Sequence, residues 1–159
     1  LGIDPGSKFT GYGLAAREGT RLRFIAAGRI PAKTSDPLPV RLRQIFEGLQ
    51  EIIRQYAPDL VAVEDVFFAK NVRSAVRLGH VRGVVLLAAA QAGLPVYEYS
   101  PAIIKLAVVG YGQAEKRQVN LMVKNILGLE NDLAEDASDA LAAAICHLNQ
   151  TPALQRTDG

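Results

Sequence analysis

The sequence is poor in the side chains that build disulfides and zinc sites. Its 159 residues hold one cysteine, Cys146, and two histidines, His80 and His147. A single thiol excludes an internal disulfide and any CxxC metal site. The histidines stand far apart and read as surface or helix-packing side chains. Long apolar runs are also missing. No stretch free of Lys, Arg, Asp and Glu reaches the ~20 residues that a membrane span needs, and Gly83 to Gly93 reads as a buried helix. No signal peptide is visible. The chain opens at Leu1 already inside an apolar strand, so a few residues of that strand are expected before it. These features suit the cytoplasm, with no membrane partner.

A strong overall charge is absent too, because the net charge is only +2. The charge is unevenly spread, however. Residues 1–64 carry nine basic and seven acidic side chains (+2), residues 65–128 eight and three (+5), and residues 129–159 one and six (−5). A basic middle beside an acidic end suits a polyanion partner next to a cation site.

The opening Leu1-Gly2-Ile3-Asp4-Pro5-Gly6-Ser7 is a strand that runs into an acid and is then broken. Asp4 is placed to face a cleft at the sheet's end, although an aspartate also commonly starts such a turn. Thr10 to Ala15 and Leu22 to Ile30 read as the next strands of an antiparallel meander. Pro31 to Pro39 reads as a connector. Leu42, Ile45, Phe46, Leu49, Ile52, Ile53 and Tyr56 form the stripe of an amphipathic helix that Pro58 ends. Leu60 to Glu64 is a short apolar strand, brought parallel to a strand already in the sheet by a right-handed crossover, and it too ends in an acid. A loop follows, then a helix from Ser74 to Ala92, a strand from Pro95 to Tyr99, and helices near 101–109, 114–127 and 135–149. The expected fold is α/β: a mixed five-stranded sheet, its first three strands antiparallel, with helices on both faces. Residues 1–150 are expected to form one domain and 151–159 a flexible tail.

Two more acids, Asp136 and Asp139, are helix neighbours at a spacing of three. First-turn acids also complement a helix dipole, so capping is the competing role. Four carboxylates crowded together repel unless cations neutralise them. Such hard oxygen donors suit Mg²⁺ or Mn²⁺. Two such ions ~4 Å apart activate a water and stabilise the leaving oxygen in phosphodiester hydrolysis. Lys70, Arg73 and Arg77 lie between the Glu64 strand and the second long helix. Lys105, Lys116, Arg117 and Lys124 decorate the later helices. All are candidates for phosphate contacts. Phe67 and Phe68 point opposite ways in an extended segment, so one can be core while the other stacks on an unpaired base.

With these residues in place the chain resembles the RuvC family of Holliday-junction resolvases, on the ribonuclease-H-like fold. The resemblance rests on segments in order from about residue 3 to 149. They include Gly2-Ile3-Asp4-Pro5-Gly6-Ser7, Thr10-Gly11-Tyr12-Gly13, Val63-Glu64-Asp65-Val66-Phe67, Ala69-Lys70-Asn71, Val108-Val109-Gly110, Ala114-Glu115-Lys116 and Asp136-Ala137-Ser138-Asp139-Ala140-Leu141-Ala142. It implies that Asp4, Glu64, Asp136 and Asp139 are the catalytic, metal-binding acids. It places Lys105 and Lys116 near the scissile phosphate and Phe67 at the crossover. It implies a homodimer that cuts opposed strands of a four-way DNA junction, working with a junction-binding protein and a branch-migration motor. Some family members carry histidine where Asp136 stands, so an all-carboxylate site is expected here. The helix from Ser74 to Ala92 is the expected dimer interface, with Gly79 and Gly83 allowing close approach and Val84 to Leu87 supplying apolar area. Competing classes are a ribonuclease-H-like RNA-processing nuclease, a non-catalytic junction-binding module, and a phosphotransferase of the actin and sugar-kinase type. The last needs a second domain, for which 159 residues leave no room.

Overall fold

The structure, a computed structural model, describes residues 1–65 and 71–151. Its elements are β1 (Gly2–Asp4), β2 (Phe9–Glu18), β3 (Arg21–Pro31), α1 (Leu38–Tyr56), β4 (Val61–Glu64), α2 (Val72–Gln91), β5 (Val96–Tyr99), α3 (Pro101–Val109), α4 (Lys116–Leu127) and α5 (Glu135–Gln150). The strands form one mixed sheet in the order β3-β2-β1-β4-β5. β1, β2 and β3 pair antiparallel, while β4 pairs parallel with β1 and with β5. Asp4 and Glu64 therefore end neighbouring parallel strands, as the crossover rule requires.

Strand alternation sorts the side chains between the two faces. Ile3, Val61 and Val63 point to the face covered by α1 and α2, where they join Ile45, Leu49, Val81 and Val85 in one core. Gly2 and Asp4 point to the other face, and a β-carbon on Gly2 would stand 1.9 Å from the Ala140 carbonyl oxygen of α5. Helix α5 thus lies directly on the sheet. Most of it is also covered from outside, because its other side joins α3 and α4 in a second core with Val108, Val123, Leu141 and Ile145. That is why its central turns are almost all alanine, buried on every side.

The first two helices start earlier than the sequence reading placed them, and the outer face of α2 is less apolar. Helix α1 begins at Leu38, because Pro39 falls in its first turn, where a missing N–H costs nothing. Helix α2 begins at Val72, capped by Asn71, whose side chain accepts from the Ser74 N–H at 2.9 Å. The apolar area expected on the outer face of α2 is smaller than Val84 to Leu87 suggested. Val85 is buried and Val84 packs against the α1 core, which leaves Leu87 outward. Gly79 and Gly83 do face open space, with nothing within 4 Å of a β-carbon on either. No described helix is long and apolar enough to cross a membrane.

Candidate active site

The site is assembled at the end of the sheet where β1, β4 and β5 finish. Asp4 and Glu64 are last residues of their strands, on the α5 face. Helix α5 enters over the same end, with Asp136 and Asp139 in its first turns. Neither aspartate caps it: the residue before the helix is Ala134, and no side-chain cap bond is made. The capping role is thus unfilled by both.

The approach of α5 is set by Gly11 of β2, which lies opposite Asp4 in the ladder. A β-carbon there would stand 1.9 Å from the Asp136 carbonyl oxygen. Ser138 fixes α5 on its other side by donating to the Asn120 side chain of α4 at 2.8 Å. Arg82 of α2 steadies the end of β4 from below. It reaches Asp65 at 3.4 Å and Glu98 of β5 at 2.5 Å.

The acids perturb one another. Burial pushes the Asp4 carboxyl from the usual 3.8 up to about 8, and the charges of Glu64, Asp139 and Asp136 push the same way. Glu64 is raised by burial and by Asp139, against the pull of the Asp4 hydrogen bond, Lys116 and Lys105. Asp139 is raised by burial and partly restored by Lys116. The Lys116 ammonium lies 3.0 Å from Asp139 and also contacts Glu135. Burial works against that ammonium, but the two carboxylates outweigh it and hold its pKa above the lysine range. A cleft of about 970 Å³ opens over Asp4, Glu64, Lys116 and Asp139. A recess of about 170 Å³ beside it brings Lys105 to the same acids.

Four hard carboxylate donors suit Mg²⁺ or Mn²⁺ by chemistry. Among the described residues no three donors converge as a cation cage. Their repulsion is relieved by the hydrogen bond between Asp4 and Glu64 and by Lys116 on Asp139. Cysteine is no competitor as donor or nucleophile, since Cys146 is buried and burial lifts its thiol to about 11.

The other candidates are dispersed. Arg73 and Arg77 stand exposed on the first turns of α2, and Arg117 is exposed at the start of α4. Lys124 is spent on Asp132 at 2.6 Å, two turns further along α4. Phe67 and Lys70 lie outside the described residues. His80 is exposed, and His147 is a packing residue: its Nδ1 meets the Tyr99 hydroxyl at 2.7 Å. Sequence reasoning gave no site role to Glu135, Arg82 or Arg29, the last lying 3.9 Å from Asp136.

The raised Asp4 pKa has a measurable consequence. Between the unfolded value of about 3.9 and the folded value of about 8, the folded chain holds a proton that the unfolded chain has released. Stability therefore falls as pH rises through that window. A divalent cation that binds the ionised site should restore it. The rise in melting temperature on adding Mg²⁺ is expected to be larger at pH 8 than at pH 6, and Asp4→Asn should flatten both trends. A Mg²⁺ effect independent of pH would exclude Asp4 from the cation site.

The sheet order and the acid cleft at its end define a nuclease on the ribonuclease-H-like fold. The comparisons make the class specific. The family model described as crossover junction endodeoxyribonuclease RuvC matches residues 1–147. The crossover junction endodeoxyribonuclease RuvC of Citrifermentans bemidjiense is 54% identical over 147 residues, covering 92% of this chain and 90% of its own. That of Chloroflexus aggregans is 50% identical over 157 residues, covering 98% and 96%. Among solved structures, T. thermophilus RuvC in complex with Holliday junction substrate superposes with a TM-score of 0.89 at 36% identity, covering 94% of this chain and 92% of that one. The chain belongs to the RuvC family of crossover junction endodeoxyribonucleases.

Proposed function

We infer that this protein is a structure-selective endonuclease that resolves four-way (Holliday) DNA junctions in recombination and repair. The observation that carries the reading is the convergence of the β1, β4 and α5 ends on one cleft, acidic at its floor and lysine-rimmed. A nuclease of this family works with a divalent metal ion. We propose Mg²⁺, replaceable by Mn²⁺, at two positions held by Asp4, Glu64, Asp136 and Asp139. Such ions, when bound, supply an activated water and charge stabilisation at the leaving oxygen. The protein's own groups do the rest. Lys105 and Lys116 draw the scissile phosphate toward the acids. Lys116 leaves its carboxylates as that phosphate arrives, because the phosphate replaces their negative charge. Lys70, Arg73, Arg77 and Arg117 hold flanking phosphates without reading sequence. The place of work is taken to be the cytoplasm. The test is cleavage of a labelled four-way junction, a linear duplex and single-stranded DNA, with and without Mg²⁺. Paired nicks confined to the junction are expected; equal cutting of the duplex, or of an RNA hairpin, would overturn the reading.

Two parts of this reading stand on further expectations. Opposed nicks need two sites related by a twofold axis. The exposed stripe of Val72, Val76, Gly79, Gly83 and Leu87 on α2 is proposed as the face that meets a second copy. Light scattering should give a dimer at micromolar concentration, and Leu87→Glu should shift it toward monomer. A wild-type monomer with full activity would remove this part. Phe67, three residues after Glu64 in sequence, is proposed to stack on a base unpaired at the crossover. Phe67→Ala should lose ~1–3 kcal/mol of stacking and cleave poorly while binding better than it cuts. Equal loss on a junction already unpaired at the crossover would mean that Phe67 does not promote unstacking. A junction-binding protein and a branch-migration motor complete the proposed set of partners.

A further inference from the structure

A second basic surface lies on the other side of the acids, and none of the roles above uses it. It is built where β2 begins and β3 ends. In the ladder Phe9 faces Pro31 and Gly11 faces Arg29. Phe9 and Arg29 are therefore diagonal cross-strand neighbours on the face that carries α5. The Arg29 guanidinium sits 4.2 Å from the Phe9 ring centroid, and the Lys8 ammonium sits 5.6 Å from the same centroid. One half-exposed ring thus holds two cations.

The backbone pairing continues past the strand ends, with the Ala32 N–H donating to the Lys8 carbonyl at 3.0 Å. This sets Lys8 and Lys33 near each other at the rim. Between them is a groove of about 480 Å³ lined by Lys8, Phe9, Lys33, Thr34 and Gln44, among others, and none of its lining residues is acidic. The nearby acid Asp36 accepts from the Gln44 side chain at 2.7 Å. Among the described residues neither Lys8 nor Lys33 pairs with a carboxylate. Among the described residues Arg29 has only Asp136 as a carboxylate partner, at 3.9 Å, beyond hydrogen-bond reach.

Lys8 and Lys33, without a carboxylate partner among the described residues and gathered beside Arg29, favour an anion that bridges them. The surrounding chemistry says which anion. Lys105 and Lys116 rim the acids on the Asp139 side, while this surface begins on the Asp136 side. A DNA strand with one phosphate over the acids continues in both directions, and its following phosphates need cations on both. We propose that Lys8, Arg29 and Lys33, seated around Phe9, form a second phosphate track that grips the strand beyond the scissile phosphate. The proposal rests on the reading of the site as a junction nuclease.

The test is the salt dependence of junction binding. Lys8 and Lys33 are both exposed, so Lys8→Gln/Lys33→Gln should fold and melt as wild type. Binding to a labelled four-way junction is followed by fluorescence anisotropy without divalent metal, from 50 to 200 mM KCl. Each lost phosphate contact lowers the slope of log affinity against log salt by about 0.9, so the double variant should lose about 1.8 of slope. Arg54→Gln, at the far end of α1 and paired with Glu51, should keep the wild-type slope. A double variant with the wild-type slope overturns the track while leaving the nuclease reading intact. A wild-type protein that neither binds nor cuts the junction overturns both.

Discussion

Asp4→Asn, Glu64→Gln, Asp136→Asn and Asp139→Asn are each expected to lower single-turnover junction cleavage by on the order of 10³-fold or more. Each removes a charge that helps to hold ions supplying several kcal/mol of transition-state stabilisation, and each ~1.4 kcal/mol is a factor of ten in rate. The fold should survive, because the amides keep the shape of the acids. Asp4→Asn should even stabilise the protein without divalent metal above neutral pH, since burial and three neighbouring acids already disfavour its charge. Junction binding should persist or tighten, because a negative charge leaves the cleft floor. The two aspartates of α5 give the sharpest test. Neither makes a side-chain cap bond, so a loss of cleavage at Asp136 or Asp139 cannot be charged to a lost cap. If either amide variant cleaves at close to the wild-type rate, that residue leaves the catalytic set.

Much of this arrangement is legible in the chain itself. Asp4 and Glu64 each end an apolar run, and the right-handed crossover makes those runs parallel neighbours. The spacing of Asp136 and Asp139 makes them neighbours on one helix start, flanking its buried face. What a linear pattern cannot carry is ladder register. Arg29 belongs to the site only because it pairs with Gly11, which lies against Asp136. Lys116 belongs because the start of α4 is pinned beside the start of α5 through Asn120 and Ser138. Arg82 looks like one more basic residue of α2 until the fold brings Asp65 and Glu98 around it. The inward turn of Val85 is equally hidden, since α2 is apolar on more than one face. Gly11 and Gly13, two apart on a strand, were the available sign that a helix packs hard against that face.

That sign leads to the second large effect: Gly11→Ala should damage cleavage more than its stability cost alone explains. The added β-carbon would stand 1.9 Å from the carbonyl oxygen of Asp136 and 2.4 Å from its carbonyl carbon. These are backbone atoms of the first turn of α5, so no side-chain rotation relieves the clash. Either β2 sinks or α5 lifts. Overpacking of this kind costs ~1–3 kcal/mol, occasionally more. The lift also carries Asp136 and Asp139 away from Asp4 and Glu64, and a misplacement of about 1 Å costs on the order of 10²-fold in rate. Gly13→Ala is the control. Its β-carbon would meet the Leu141 side chain at 2.5 Å and the Leu141 backbone nitrogen at 2.8 Å, so it too presses on α5, but more than a turn past Asp136 and mostly against a side chain that can yield. Both variants should melt at lower temperature than wild type. Assayed well below those temperatures, Gly11→Ala should lose on the order of 10²-fold in single-turnover cleavage and Gly13→Ala far less. Equal cleavage by the two, at equal stability, would show that the Gly11 contact does not set the distance between the α5 aspartates and the strand-end acids.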